Sequence, residues 1–320
     1  MSQCKPFVIG VDMGGTNTEV AVVDARGNIS ATASFKTNEC RDFEDFIQAI
    51  EKACRRVMGE VGGPQMIAGI GIGAPNANFY TGNIENAANL PWKGVLPLGE
   101  KLSSILKVPV AVTNDANAAA IGEMTYGAAR GMRDFIMITL GTGLGSGIVV
   151  NGELVYGCDG FAGELGHVRV YKDGRKCGCG RCGCLETYCS ASGLARTAVE
   201  FLHTRPDESL LRNLDPNVIT SKDVYDAAMQ GDALSKEIFE YTGQILGEAL
   251  ADFVCFSAPE AIILFGGLAQ AGDLLFDPVR RSMEENLLPI WKGKIALIPS
   301  SLKLSEAAVL GAAAVGWKAK

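Results

Sequence analysis

Asp12 opens the run Asp12-Met13-Gly14-Gly15-Thr16-Asn17, and a second glycine-rich run, Gly141-Thr142-Gly143-Leu144-Gly145-Ser146-Gly147, appears in the middle of the chain. Glycine turns let backbone N–H groups converge on an anion with no Cβ in the way, which suits phosphate when no lysine finger is present. A carboxylate at the end of a strand beside such a turn suits Mg²⁺ or its water shell against nucleotide phosphates. Either turn alone is better read as a tight hairpin, and Asp12 alone has the common alternative of a turn-starting aspartate. Two turns, one led by an acid, favour phosphate. The second run is followed by Ile148-Val149-Val150-Asn151-Gly152, a strand and a turn where a dinucleotide fold needs a helix, and no Gly-x-x-x-x-Gly-Lys-Ser/Thr sequence is present. Redox and P-loop chemistry are therefore not expected.

Val108–Thr113 reads as a strand that runs into Asn114-Asp115 and then an alanine-rich helix. One such polar residue would cap the helix at about 1 kcal/mol. The pair suits a hydroxyl-bearing substrate, with Asn114 fixing orientation and Asp115 accepting the proton of an attacking oxygen. Farther on, Glu164 and His167 precede Cys177-Gly178-Cys179-Gly180-Arg181-Cys182-Gly183-Cys184-Leu185-Glu186. His167 with three thiolates would close a tetrahedral zinc site of structural type, since no position is left for water. A Cys179-x-x-Cys182 redox pair is the rival, without thioredoxin-like surroundings. The other histidine, His203, reads as surface or core filler.

The elements that must hold these residues alternate. Phe7–Val11, Glu19–Asp24 and Asn28–Lys36 read as strands, the spacing of Phe43, Phe46, Ile47, Ile50, Cys54, Val57 and Met58 as a helix face, and Met66–Gly73 as a buried strand. Phe135–Leu140, the second glycine turn and Ile148–Val150 repeat the opening hairpin, which implies an internal duplication. Helices over Asp232–Phe256, Asp273–Leu288 and from Glu306, with a strand at Ala261–Phe265, complete an α/β chain. The domain boundary is expected near Thr113, with residues 1–113 and 303–320 forming a small lobe and residues 114–302 a large lobe that carries the cysteine motif. The 320 residues hold 29 basic and 36 acidic side chains, a formal charge of −7. Nucleic acid is an unexpected partner on that balance, and neither a membrane span nor a secretory signal is read, so a cytoplasmic location is expected.

Taken together, the Asp12–Thr16 turn, Asn114-Asp115, Leu140–Gly147, Glu164-x-x-His167, Cys-x-Cys-Gly-x-x-Gly-Cys-x-Glu at Cys177–Glu186, and Gly266-Gly267 resemble the ROK family of bacterial sugar kinases and sugar-responsive repressors. The resemblance implies an actin-like ATPase (ribonuclease H-like) duplicated fold of two lobes around a cleft that holds a sugar and MgATP, and a homodimer or homotetramer. It implies zinc ligands at His167, Cys177, Cys179 and Cys184, with Cys182 a spare thiol. Sugar contacts fall on Asn114, Asp115, Glu164, His167 and Glu186, with Gly73 and Asn89 nearby, and Asp115 is the base. Nucleotide contacts fall on Asp12, Gly14, Gly15, Thr16, Gly141, Thr142, Gly143, Gly266 and Gly267. The implied reaction is transfer of the γ-phosphoryl group of ATP to the 6-hydroxyl of a hexose, glucose first, with N-acetylmannosamine, N-acetylglucosamine, fructose and allose as alternatives. A repressor needs a helix-turn-helix, normally ahead of the first turn, and the eleven residues before Asp12 argue for the enzyme.

Overall fold

A computed structural model describes residues 5–87 and 90–319. In chain order it forms β1 (Phe7–Met13), β2 (Asn17–Asp24), β3 (Ile29–Lys36), α1 (Phe43–Glu60), β4 (Ile67–Gly73), β5 (Ile84–Glu85), β6 (Val95–Leu96), α2 (Leu98–Leu106), β7 (Val110–Thr113) and α3 (Asp115–Tyr126). The chain continues through β8 (Phe135–Leu140), β9 (Leu144–Val150), β10 (Glu153–Leu154), α4 (Glu186–Cys189), α5 (Ala191–Thr204), α6 (Ser221–Met229) and α7 (Ala233–Ser257). It ends with β11 (Ala261–Phe265), α8 (Asp273–Asn286), β12 (Ala296–Pro299) and α9 (Ala307–Gly316). Among the described residues no helix is long and apolar enough to cross a membrane.

Two compact units form. The first takes the described residues up to Met132, Glu153–Gly163 and Ser301 onward; the second takes Arg133–Gly152 and Glu164–Ser300. In the first, the strands lie in the order β3-β2-β1-β4-β7, with β1 antiparallel to β2 and parallel to β4, and β4 parallel to β7. In the second, β9-β8-β11-β12 repeats the pattern: an antiparallel hairpin, then β8 parallel to β11 and β11 parallel to β12. The duplication expected from the two glycine turns is therefore present as two copies of one topology.

Alternation along β1 builds the layers of the first unit, because successive side chains point to opposite faces. Ile9, Val11 and Met13 join Phe46, Ile50 and Val57 of α1 in one cluster, while Val8 joins Val309, Leu310 and Ala313 of α9 in another. Asp42 caps α1 by accepting from Asp45 N at 2.8 Å, and the buried residues then recur at three- and four-residue steps down its length. The helix α9, alanine-rich and buried on nearly every side, lies so close to the sheet that glycine is required beneath it. A Cβ on Gly71 would lie 1.9 Å from the Ala312 carbonyl oxygen, and one on Gly10 2.2 Å from that of Val309.

The same helix decides where the first unit ends. A Cβ on Gly122 of α3 would meet Gly311 Cα at 2.8 Å, so α3 packs directly on α9 and belongs with the N-terminal unit. The compact units accordingly separate after Met132, and not near Thr113, which lies inside the first. A second difference lies in the glycine run at 141–147. Leu144 already pairs with Leu140, and Gly145, Ser146 and Gly147 pair with Thr139, Ile138 and Met137, so the returning strand starts four residues before Ile148 and only Gly141–Gly143 form the turn.

Gly71→Ala should lower unfolding stability by about 3 kcal/mol or more, because the new methyl meets backbone that cannot step aside. Gly59→Ala, in α1 with nothing within 4 Å of its Cβ position, should raise stability by about 0.5–1 kcal/mol. Urea titration of both variants checks the pair.

Candidate functional site

In the first unit, strand register does the positioning. Asp12 pairs with Gly73, and Gly73 with Thr113, so the ends of β1, β4 and β7 lie in one row at the carboxyl edge of the sheet. Ligands bind at that edge in α/β folds. Asn114 and Asp115 follow Thr113 directly, and a Cβ on Gly73 would lie 3.7 Å from Asp115 Cα. Asn114 caps α3, its side-chain oxygen accepting from Asn117 N at 2.6 Å, which leaves its NH₂ group to donate elsewhere. Asp115 is exposed, with Oδ1 accepting from Ala116 N at 2.9 Å. Asn89 lies outside the described residues.

Asp12 is the strained member of this group. Burial first, then the charges of Asp115 and Glu19, push its carboxyl up from 3.8 to about 6. Glu19 is a contributor that the motifs did not single out. It stands opposite Asp12 in the β1–β2 ladder, a place fixed by the shortness of the glycine turn. In that turn Gly14 N donates to Asn17 O at 2.9 Å and is committed to closing the hairpin. Of the expected phosphate donors, Gly14 is therefore the one whose amide the turn itself uses.

The second unit gathers the remaining candidates. Gly141 N donates to Gly143 O at 3.0 Å, so this turn too uses its first amide internally. Gly266, at φ +105°, sits so close to β8 that a Cβ would be 2.5 Å from the Leu140 carbonyl oxygen, which brings Gly266 and exposed Gly267 alongside Gly141. Gly143 in turn lies beside Glu186: its Cβ would be 2.9 Å from Glu186 Oε2.

Donor atoms of His167, Cys177, Cys179 and Cys184 all lie within 4.8 Å of one another. A tetrahedral zinc with Zn–S bonds of about 2.3 Å has S···S edges of about 3.8 Å. The Sγ atoms of Cys179 and Cys184 are 3.7 Å apart, and Cys177 Sγ is 3.6 Å from His167 Nδ1. These four donors fit zinc, and Cys182 falls outside them. Burial pushes the thiols of Cys177 and Cys184 up, so a cation is what would hold them as thiolates. Glu186 joins this cluster: Cys177 Sγ donates to its Oε1 at 3.0 Å, and His167 Nδ1 is 3.7 Å from the same oxygen. The other imidazole nitrogen, Nε2, is 3.9 Å from Glu164 Oε2. His203 is exposed near the end of α5.

The Asp12 shift has a consequence for stability. Below about pH 4 the carboxyl is neutral in folded and unfolded chains alike. From there to about 6 the folded protein keeps a proton that the unfolded chain has lost, so this group makes stability fall as pH rises. Above that window the full cost is present. Asp12→Asn should therefore stabilise the metal-free, nucleotide-free protein at pH 7 by on the order of 1–3 kcal/mol and by much less at pH 4, as read from urea unfolding at the two pH values.

The model of the ROK family matches residues 8–319. A glucokinase of Halalkalibacterium halodurans is 39% identical over 287 residues, 88% of this chain and 87% of its own. A glucokinase of Streptomyces coelicolor is 39% identical over 313 residues, 96% of each chain. The crystal structure of a ROK family glucokinase from Streptomyces griseus in complex with glucose and AMPPNP matches with a TM-score of 0.80 at 35% identity, over 98% of this chain and 99% of that one. The repeated hairpin-and-parallel sheets, the carboxylates at the strand ends and the histidine–cysteine cluster are thus those of a protein that belongs to the ROK family, with its actin-like ATPase fold.

Proposed function

We propose that this protein transfers the γ-phosphoryl group of ATP to the 6-hydroxyl of glucose. The observation that carries the reading is the exposed Asp115 carboxylate, set at the end of the Asp12–Gly73–Thr113 row in a chain 39% identical to glucokinases over most of its length.

Asp115 accepts the proton of the sugar hydroxyl as its oxygen attacks phosphorus. Asn114 donates through the NH₂ group that capping leaves unused and sets the orientation of the sugar, while the Gly73 backbone lies alongside. Glu164, His167 and Glu186 bind other hydroxyls. The turns at Gly15-Thr16 and Thr142-Gly143, with Gly14, Gly141, Gly266 and Gly267 shaping them, hold phosphate oxygens. Asp12, once deprotonated, attracts the Mg²⁺ that accompanies ATP. In a loose transition state little covalent chemistry falls to the protein, so most of the rate comes from positioning and from charge placed before the reaction.

Zinc, if held by His167, Cys177, Cys179 and Cys184, would supply structure and no chemical step. His167 has Nε2 3.9 Å from Glu164 Oε2, and that nitrogen is the one offered to a sugar hydroxyl. The acidic balance of −7 supports a reading without a nucleic-acid partner. A homodimer or homotetramer acting in the cytoplasm, away from membranes, completes the proposal.

Asp115→Asn keeps the shape and removes the base. Glucose-dependent ADP release should drop by about 10²–10⁴-fold with unchanged circular dichroism; turnover near the wild-type rate would remove Asp115 from the role. The same coupled assay across glucose, fructose, allose, N-acetylglucosamine and N-acetylmannosamine should favour glucose, and a flat response to all five would point to a sugar sensor. Metal analysis of the purified chain should find close to one zinc, and an active, zinc-free preparation would end the zinc assignment.

A further inference from the structure

Arg175 is a buried cation outside every motif described above, with 6% of its side chain exposed. Burying a guanidinium is costly unless each N–H finds an acceptor. Here all five do. Nε and Nη2 donate to Glu200 Oε2, Nη2 also to Thr197 Oγ1 at 2.8 Å, and Nη1 to the carbonyl oxygens of Thr187 at 2.7 Å and Gly193 at 3.2 Å. The guanidinium carbon lies 4.4 Å from the centroid of the Tyr188 ring, and the hydroxyl of that same tyrosine accepts from Arg175 N at 2.9 Å. The Arg175 carbonyl accepts from Gly183 N at 2.8 Å.

The addresses of these bonds matter more than their number. Arg175 lies two residues before Cys177; Gly183, held by its carbonyl, directly precedes Cys184; Thr187, held by Nη1, directly follows Glu186. One residue therefore ties the loop together: its side chain joins the helix that carries Glu186 to α5, and its backbone carbonyl, set in place by that anchored side chain, holds Gly183 beside Cys184. Between Arg175 and Glu186 the chain forms turns and isolated bridges, with no helix or paired strand to set the spacing of the thiols. We infer that Arg175 is the positioning residue of this loop, fixing Cys177, Cys184 and Glu186 relative to one another so that metal is retained and glucose is bound. The inference rests on the zinc and sugar reading given above. Lysine, with three donors on a single nitrogen, cannot copy the five-donor fork.

The test uses the full-length, zinc-loaded protein, with zinc transfer to a chromogenic chelator followed over time and KM measured separately for glucose and ATP. Arg175→Met should release zinc at least tenfold faster and raise KM for glucose severalfold while KM for ATP changes less than twofold. Arg175→Lys should fall between it and the wild type. Arg205→Gln is the control for general loosening, since Arg205 also stacks on a ring, Phe201 at 5.0 Å, and pairs with a carboxylate, Glu237 at 2.6 Å. It should leave zinc release and both KM values unchanged. A folded Arg175→Met variant with wild-type zinc release and glucose KM overturns the inference. Should that variant fail to fold, Thr197→Val removes one of the five bonds and should speed release two- to fivefold, and wild-type release from it overturns the inference equally. A wild-type protein without zinc would instead sink the metal reading itself, and this inference with it.

Discussion

Two carboxylates held close enough to disturb each other, Asp12 and Asp115, set the terms for the first unit. Left to itself the chain would separate them, since the repulsion and the burial together lift Asp12 by about two pH units. Strand register prevents separation: Asp12, Gly73 and Thr113 are locked side by side by the parallel ladders β1–β4 and β4–β7. Behind the ladders stands α9, so close that only glycine fits at positions 10 and 71 beneath it. Stability invested in that packing offsets the cost of an acidic edge, and the proposed function gives that edge its use.

The second unit meets a related problem by other means. Its sheet repeats the first, yet the loop that carries the cysteines has almost no regular structure, and its geometry comes from side chains. Thiols that burial keeps protonated, an imidazole and the Glu186 carboxylate converge there. The buried Arg175 ties the loop to α4 and α5 through hydrogen bonds that leave no guanidinium donor unmatched. Glu186 links the two features of this unit, with one oxygen on the cysteine–histidine cluster and the other beside Gly143 of the glycine turn.

What the sequence made legible follows from the range of each interaction. Asp12 and its glycines, Asn114-Asp115 and the Cys-x-Cys spacing are local patterns set by neighbours in the chain, and the structure puts Asp12 near the end of β1, Asn114-Asp115 at the start of α3 and three of the cysteines within reach of His167. The strand content of 144–147 was hidden because glycine and serine have no β propensity of their own, and pairing with β8 decides their conformation. The end of the first unit was misplaced near Thr113 because the contact that holds α3 there, Gly122 against Gly311, joins residues far apart in sequence. Arg175 gave no signal at all: a lone arginine becomes informative only when its five acceptors are seen around it. At Asn114 the capping reading is compatible with the proposed one, since capping uses only the side-chain oxygen.

The central claim is that the Asp115 carboxylate stands beside the sugar hydroxyl that attacks phosphorus. A crystal structure of this protein with glucose and a non-hydrolysable ATP analogue tests it most directly. The account predicts an Asp115 carboxylate oxygen within hydrogen-bond distance, about 2.6–3.0 Å, of the glucose O6 atom. Glucose bound with O6 facing another group, or seated away from Asp115 altogether, would contradict it.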